Sequence, residues 1–173
     1  YAVEMDLNRN SPNINGYVFV LGRVTELASG GYNFYFLQQH NSVLSLNKRY
    51  YDSVEGKSKD KYGLVGTSNA APSGEWRNIK MEFEGNTIKC YADDMLKFTY
   101  VDEGEYGEPL TSGGVGIYMI ETNWDAQFDN FKVTFPDDTT MFLDDFTDER
   151  YFNGVTYEWA PDNADSWSLT DGV

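Results

Sequence analysis

Asp129 is the residue of this sequence that most needs a chemical partner. It lies in residues 127–135, where a period of two predicts a strand with Phe131, Val133 and Phe135 on one face. Asp129 falls at the start of that same face. A carboxylate beside an apolar face needs a cation, a set of backbone N–H groups or a metal ion to compensate its charge. The chemistry of this stretch therefore depends on which of the three partners Asp129 has.

Aromatic side chains are the second group that could carry a function, because their rings can stack on the C–H faces of sugars. The candidates for exposed, sugar-stacking rings are Tyr32, Tyr35, Tyr118 and Trp124, and Tyr50 and Tyr51 are two further exposed candidates. Trp124 lies in the polar loop Asn-Trp-Asp, where a role in core packing is less automatic. For each tyrosine, core packing is the alternative interpretation. The sequence does not show which face of the fold is concave.

Nucleophilic and histidine-based chemistry has little support. The chain has one histidine, His40, and one cysteine, Cys90. These numbers exclude histidine clusters, cysteine-based zinc sites and an intrachain disulfide, and they argue against a Ser-His or Cys-His centre. Cys90 stands among apolar residues of a predicted strand, so we expect it to be buried and inert.

The net charge of −15 limits the partners of the chain. It argues against nucleic acids and anionic membranes, because their phosphates would be repelled, and it permits calcium, which takes oxygen ligands. No apolar run is long enough to predict a membrane span. The chain starts at Tyr1 inside a strand-like pattern. We therefore expect that a signal or another earlier segment has been removed or is not included.

The elements that position these residues are predicted to be strands and turns. A 16% share of aromatic residues and 16 glycines favour strands and turns over helices, and no helical period appears. The predicted strands are residues 1–7, 17–24, 32–39, 43–46, 76–84, 87–92, 95–100, 115–120 and 127–135. Residues 50–72 are predicted to be a long surface loop with at most a short strand at 62–65. This spacing predicts a single all-β domain, a two-sheet antiparallel sandwich.

Residues 76–135 resemble the C-terminal half of concanavalin A-like jelly-roll modules of the laminin-G-like, family-66-like carbohydrate-binding type. The resemblance rests on a strand with tryptophan, a glycine turn, a strand that ends in aspartate, a Gly-x-Gly sequence and a strand with Phe-Asp-Asn-Phe. The matching residues are Trp76, Gly85, Ile88, Cys90, Tyr91, Asp93, Gly114, Val115, Gly116, Phe128, Asp129, Asn130 and Phe131. The resemblance implies a jelly-roll fold and carbohydrate binding, although the fold also hosts hydrolases, lyases and structural modules.

The C-terminal tail departs from the pattern of such modules. They usually begin with an Asp-Asp-Phe-x-Asp strand, but here Leu-Asp-Asp-Phe-Thr-Asp-Glu begins at Leu143, and a related Trp-x-Leu-x-Asp-Gly sequence begins at Trp167. We therefore divide the chain into a jelly-roll body, residues 1–135, and a tail, residues 136–173, that supplies the missing first strands. The tail could dock in cis, as in a circularly permuted module, or in trans on another copy. The chain could also be one repeat of an array, cut out of phase.

The resemblance also implies a structural calcium ion near the first and last strands. Asp129 matches the Phe-Asp-Asn position, Asp144 and Asp145 match the initial Asp-Asp, and Asp148 follows them. Calcium takes six to eight oxygens, so backbone carbonyls would complete the set. The alternative is that these acids cap turns and face solvent.

A hydrolase is the least supported function. Related jelly-roll glycosidases carry Glu-x-Asp-x-x-Glu on one strand, and Glu4-Met5-Asp6 offers the first two acids, but Arg9 stands at the third position. We therefore expect a non-catalytic, extracellular module that binds a polysaccharide or glycan and holds calcium. The alternative is a structural subunit of an extracellular filament or repeat array, in which copies of the chain exchange strands through the tail.

Overall fold

The computed structural model describes residues 1–9, 17–40, 42–69, 74–120 and 126–146, which form two antiparallel β-sheets. The strands are β1 Ala2–Arg9, β2 Tyr17–Glu26, β3 Tyr32–His40, β4 Val43–Asp52, β5 Lys57–Ser68, β6 Trp76–Glu84, β7 Thr87–Ala92, β8 Met95–Val101, β9 Gly114–Ile120, β10 Ala126–Thr134 and β11 Thr140–Asp144. One sheet has the order β11-β10-β1-β6-β7-β8 and the other β5-β4-β3-β2-β9. The predicted all-β, two-sheet sandwich is confirmed. The part of the chain described here contains no helix that is long and apolar enough to cross a membrane.

The core lies between the two sheets and is built by strict alternation. Every second residue of β1, β6 and β7 points inward, and β2, β3 and β4 do the same from the other sheet. The inward-facing residues of these six strands are Val3, Met5, Leu7, Ile79, Met81, Phe83, Ile88, Cys90, Ala92, Val18, Val20, Tyr35, Leu37, Leu44 and Leu46. Burial strongly raises the pKa of the Cys90 thiol, so this residue packs as a small hydrophobic group.

The prediction of a long loop at residues 50–72 is wrong. β4 continues to Asp52, and after a turn closed by the Gly56 N–H donating to Asp52 O (2.8 Å), β5 runs for twelve residues. Among the described strands β5 pairs only with β4, so it is an edge strand of this sheet. An edge strand needs little apolar alternation and is often rich in lysine, which hides it from sequence patterns. Here lysines stand at positions 57, 59 and 61.

The predicted position of Asp129 beside Phe131 and Val133 is also wrong. Asn130 adopts a φ of 51°, and the register of β10 against β1 shifts at this point, so one extra residue is inserted. Phe128 and Phe131 consequently both point into the core, while Asp129 pairs with Asp6 on the outer face of the six-stranded sheet. A β-bulge thus turns the carboxylate out of the core.

A buried polar network closes one end of the core. Lys48 Nζ donates to Asp102 Oδ2 (2.7 Å) and to the carbonyls of Gly107 (2.9 Å) and Glu108 (3.0 Å), and Tyr35 Oη donates to the same carboxylate oxygen (2.5 Å). Both side chains of the ion pair are only 1% exposed. The network ties the loop between β8 and β9 to the five-stranded sheet. Because Tyr35 is fully buried here, the expectation that its ring is exposed for sugar stacking is wrong.

The first strand of the tail lies on its own chain in this structure. β11 pairs antiparallel with β10, with Phe131 opposite Asp144 and Lys132 opposite Leu143, and forms the edge of the six-stranded sheet. The turn between them is closed by the Phe135 N–H donating to Thr139 O (2.9 Å). The remainder of the tail, including Asp148, lies outside the described residues.

Candidate functional site

The outer face of the five-stranded sheet carries a row of aromatic rings. Since Val18, Val20, Leu37 and Ile117 point toward the core, the residues between or beside them point away from it. We call this surface the aromatic face, and its rings are those of Phe19, Phe34, Phe36, Tyr62 and Tyr118. The face spans strands β9, β2, β3, β4 and β5.

Two exposed tyrosines on this face are supported by buried phenylalanines. The Tyr118 ring stacks on Phe19 with centroids 5.7 Å apart and 19° between the planes, and 43% of Tyr118 is exposed against 1% of Phe19. Phe36 contacts Phe19 edge-on at 5.0 Å and Tyr62 edge-on at 5.7 Å, and Tyr62 is 54% exposed. Ring–ring contacts of this kind hold aromatic side chains in place. Binding of a ligand that stacks on these rings therefore removes little conformational freedom from their side chains.

Asn47 fixes the bulge that presents Tyr62. The register between β4 and β5 shifts after Leu46, and Gly63 has a φ of 64°. The Gly63 N–H donates to Asn47 Oδ1 (2.7 Å), while Asn47 Nδ2 donates to Phe36 O (3.3 Å) and Ser45 O (3.2 Å). The Asn47 amide is therefore occupied by the backbone, and its role is to position the neighbouring strand.

Polar side chains lie beside the rings and add no net charge. Gln38, which is only 7% exposed, lies directly between Phe19 on β2 and the partly exposed Ser45 on β4 in the sheet register. Toward the other end of the face, Arg49 Nη1 pairs with Asp60 Oδ1 at 3.5 Å and its guanidinium lies 5.9 Å from the Phe34 centroid. Amide and hydroxyl groups next to exposed rings are the combination that reads sugar hydroxyls while the rings hold the C–H faces.

The structure separates the predicted ligand-binding residues. Tyr118 lies on the aromatic face, level with Gln38. Tyr32 is exposed on the same side of β3 but six residues from Gln38, or about 20 Å along the strand. Tyr35 belongs to the core, and Trp124 lies outside the described residues. Sequence reasoning missed Phe19, whose place in an almost continuous apolar run concealed that it faces outward.

The predicted metal ligands come together only in part. Burial raises the pKa of the Asp129 carboxyl, and the nearby carboxylates of Asp6, Asp145 and Asp144 raise it further. Asp6 was missed as a neighbour of Asp129, although its place on the outward side of β1 could have indicated it. Its two carboxylate oxygens accept hydrogen bonds from Asn78 Nδ2 and Asn130 Nδ2, both at 2.9 Å.

The geometry of Asp144 fits the alternative of a turn cap. Its Oδ1 accepts a hydrogen bond from the Phe146 N–H (2.8 Å), and the side chain is almost fully buried opposite Phe131. Within the ranges that the structure describes, no three acidic, histidine or cysteine side chains are grouped at metal-ligand spacing. Asp148 lies outside those ranges. A calcium ion here would need oxygens beyond the described side chains, and the gathered negative charge is what favours it.

The acids of the Glu4-x-Asp6 pattern point outward from the six-stranded sheet, as their spacing predicts. Glu4 Oε1 pairs with Lys132 Nζ at 3.0 Å, and Asp6 is held by the two asparagine amides described above. Both carboxylates are therefore engaged by basic or amide groups. The side chain of Arg9, which replaces the third acid, is outside the described part of the chain.

Comparison with known proteins finds likeness in structure alone. No protein-family model matches this chain, and no curated protein matches it in sequence. The carbohydrate binding module CBM66 from Bacillus subtilis matches 75% of this chain and 71% of its own, with 19% identity and a TM-score of 0.56. Sheep galectin-11, in complex with glycerol, matches 73% of this chain and 88% of its own, with 15% identity and a TM-score of 0.46. A β-glucanase from Bacillus licheniformis matches 68% of this chain and 50% of its own, with 14% identity and a TM-score of 0.44.

Proposed function

We propose that the chain is a non-catalytic carbohydrate-binding module that holds a glycan on the aromatic face. Its concanavalin A-like jelly-roll fold, which it shares with the carbohydrate binding module CBM66, supports this proposal. The observation that carries the proposal is the pairing of exposed Tyr118 and Tyr62 with the buried rings of Phe19 and Phe36. Such rigid, solvent-facing rings suit the C–H faces of a sugar.

The charge of the chain narrows the glycan class. With a net charge of −15, the module would repel polysaccharides rich in uronate or sulfate, and the charge of Arg49, among the described residues of the aromatic face, is compensated by Asp60. A neutral polysaccharide is therefore the proposed ligand. We also propose an extracellular or cell-surface location, where the module would meet a polysaccharide of a cell wall or matrix.

Replacing Tyr118 tests the proposed face. In gel electrophoresis through embedded neutral polysaccharides, we expect at least one polysaccharide to retard the wild type, and Tyr118→Ala to weaken that binding about tenfold, or about 1.4 kcal/mol. Tyr106→Ala, on the loop between β8 and β9, is the matched control and should bind as the wild type does. Equal binding by both variants would show that the aromatic face is not the site. Release of reducing ends by the wild type, lost in Glu4→Gln, would contradict the non-catalytic role.

We also propose a structural calcium ion at Asp129 and Asp145, with Asp144 and Asp148 as the other candidate ligands. The support is that burial and the nearby carboxylates of Asp6, Asp145 and Asp144 raise the pKa of Asp129, since a cation would compensate their repulsion. A ligand that binds only the folded state raises the melting temperature. We expect EDTA to lower the melting temperature of the wild type and calcium to restore it, with little effect on Asp129→Asn. An unchanged wild-type melting curve would refute the calcium site without affecting the glycan proposal.

The alternative proposal is a filament subunit assembled by strand exchange. The observation in its favour is that β11, an edge strand joined to β10 by a short turn, carries Met141 and Leu143 with their side chains exposed. The pairing of β11 with β10 could then form between two copies of the chain. Light scattering after size-exclusion chromatography separates the cases: concentration-dependent assembly supports exchange, whereas a monomer at all concentrations excludes it.

A further inference from the structure

A polar groove lies on the opposite side of the sandwich from the aromatic face. Its volume is about 490 Å³, within the range of ligand sites, and it opens on the outer face of the six-stranded sheet. The residues that define the polar groove are Ala2, Glu4, Lys80, Glu82, Lys132 and Phe135. None of them belongs to the aromatic face or to the acidic cluster, which consists of Asp6, Asp129, Asp144 and Asp145.

The sheet register explains why a groove forms here. Lys132, Glu4 and Lys80 lie side by side on β10, β1 and β6, and form one wall. In the next row Ala2 stands between Thr134 and Glu82. Because alanine is the smallest of these side chains, the sheet surface is lowest at Ala2, and the longer neighbours rise around it.

The walls of the groove present hydrogen-bond acceptors and donors at fixed positions. Glu4 is held by Lys132 at 3.0 Å, and Glu82 is held by Lys89 at 2.8 Å and by the Tyr91 hydroxyl at 3.1 Å. The hydrogen bond from Lys89 lowers the pKa of Glu82, so this carboxylate remains an ionised acceptor at neutral pH. Each carboxylate retains further lone pairs for a ligand.

Lys80 supplies a donor that the protein itself leaves available. Its ammonium lies 4.5 Å from the centre of the Tyr91 ring. This cation–π contact orients the Lys80 side chain. Within the described ranges, no residue accepts a hydrogen bond from Lys80 Nζ or forms an ion pair with it. A ligand in the groove could therefore accept from Lys80 without breaking a hydrogen bond or an ion pair between described residues.

An exposed aromatic ring completes the rim. Phe135 lies at the end of β10, where the chain turns toward β11, and is 48% exposed. Its ring lines the groove together with Pro136. An apolar ring beside paired acceptors and donors is what a sugar requires, because a pyranose has an apolar C–H face and a rim of hydroxyls that both donate and accept.

We propose that the polar groove is a second saccharide site that takes one or two uncharged sugar rings. The sugar hydroxyls donate to Glu4 and Glu82 and accept from Lys80, while the C–H face of the ring lies on Phe135. Acidic sugars are excluded, because Glu4, Glu82, Glu84 and Asp138 outnumber the two lysines that line the groove. The site does not depend on the aromatic face, which lies on the other sheet.

The test is a titration of the full chain, observed by the backbone amide shifts of an isotope-labelled sample. The probes are methyl β-glucopyranoside, methyl β-galactopyranoside and glucuronic acid. We expect at least one neutral glycoside to shift the amides of Ala2, Lys80 and Lys132 in a saturable manner, and glucuronic acid not to. The same shifts should persist in Tyr118→Ala, which separates this site from the aromatic face.

Two groove variants and one control decide the assignment. Lys80→Met and Phe135→Ala change exposed or partly exposed side chains, so the fold should persist, and each should weaken the glycoside shifts at Ala2 at least fivefold. Lys97→Met, on β8 outside the groove, should leave them unchanged. The proposal is overturned if neither neutral glycoside shifts these amides, if only glucuronic acid does, or if the groove variants titrate like the wild type.

Discussion

At the scale of single residues, Lys48, Asp102 and Tyr35 form a buried network of hydrogen bonds that all converge on one carboxylate. Burial alone would raise the pKa of Asp102, but hydrogen bonds from Lys48, Tyr35 and the Gly104 N–H hold it below its usual value. Burial and the hydrogen bond to Asp102 raise the pKa of Tyr35. The sequence gives no sign of this network, because Lys48 and Asp102 are 54 residues apart and neither belongs to a motif.

Acid should therefore remove part of the stability that Asp102 contributes. A carboxyl whose pKa is lowered by folding stabilises the native state above its unfolded pKa, about 3.9, and loses that contribution as the pH falls through the lower folded pKa. We expect Asp102→Asn to lower the free energy of unfolding by about 3–5 kcal/mol at pH 7, because it leaves Lys48 buried without its counter-ion. In urea unfolding, the difference in free energy of unfolding between the wild type and Asp102→Asn should become smaller below about pH 4.

An exposed ion pair gives the control for this prediction. Lys57 and Glu55 approach to 2.9 Å on the β4–β5 turn, and both are substantially exposed. Lys57→Met should change the free energy of unfolding by no more than about 1 kcal/mol. A difference for Asp102→Asn that is equal at pH 7 and pH 3 would show that the carboxylate charge is not what the network uses.

At the scale of elements, regular strands could be predicted and irregular ones could not. The β6–β7 hairpin matches its predicted bounds, because strict alternation ends at Gly85-Asn86 and Gly85 takes the positive φ that the turn requires. The bulge at Asn130 was missed because a single period of two was assumed for residues 127–135, whereas Phe128 and Phe131 stand three residues apart and the alternation changes phase between them. Consequently Phe131 was placed correctly in the core and Asp129 was not.

The candidate site was predictable to a similar extent. Tyr118 could be identified as a ring on a strand of alternating residues, but its support by Phe19 depends on the pairing of β9 with β2. That pairing joins segments almost a hundred residues apart, which no local pattern specifies. The role of Asn47 depends in the same way on a bulge in an edge strand whose existence the sequence hid.

Replacing Asn47 tests the bulge in β5 that it holds in place. Asn47→Ala removes the acceptor of the Gly63 N–H and should lower the free energy of unfolding by about 1–3 kcal/mol. Because Tyr62 precedes Gly63, its ring should also lose its fixed position, and binding of neutral polysaccharide should weaken while Tyr118 remains in place. Ser68→Ala, on the same strand beyond the bulge, should show neither effect. Loss of stability with unchanged binding would exclude Tyr62 from the site.

At the scale of the whole molecule, the sandwich has two outer faces with different chemistry. The five-stranded sheet carries the aromatic face, and the six-stranded sheet carries the polar groove and, at its β10–β11 edge, the acidic cluster. Two sheets that pack face to face are about 10 Å apart, so the two proposed saccharide sites point in opposite directions. One glycan chain cannot readily occupy both sites of the same molecule, whereas two chains can.

The module should therefore bridge polysaccharide chains. We expect the wild type to raise the turbidity or viscosity of a neutral polysaccharide solution, with a maximum at an intermediate protein concentration, because excess protein occupies each chain separately. Tyr118→Ala and Phe135→Ala should each abolish bridging, yet each should keep the affinity of the site that it leaves intact. Bridging through two sites on one molecule requires no self-association. The same protein samples must therefore remain monomeric in light scattering when no polysaccharide is present. Bridging that persists in both variants would show that contacts between copies of the chain, and not two saccharide sites, join the polysaccharides.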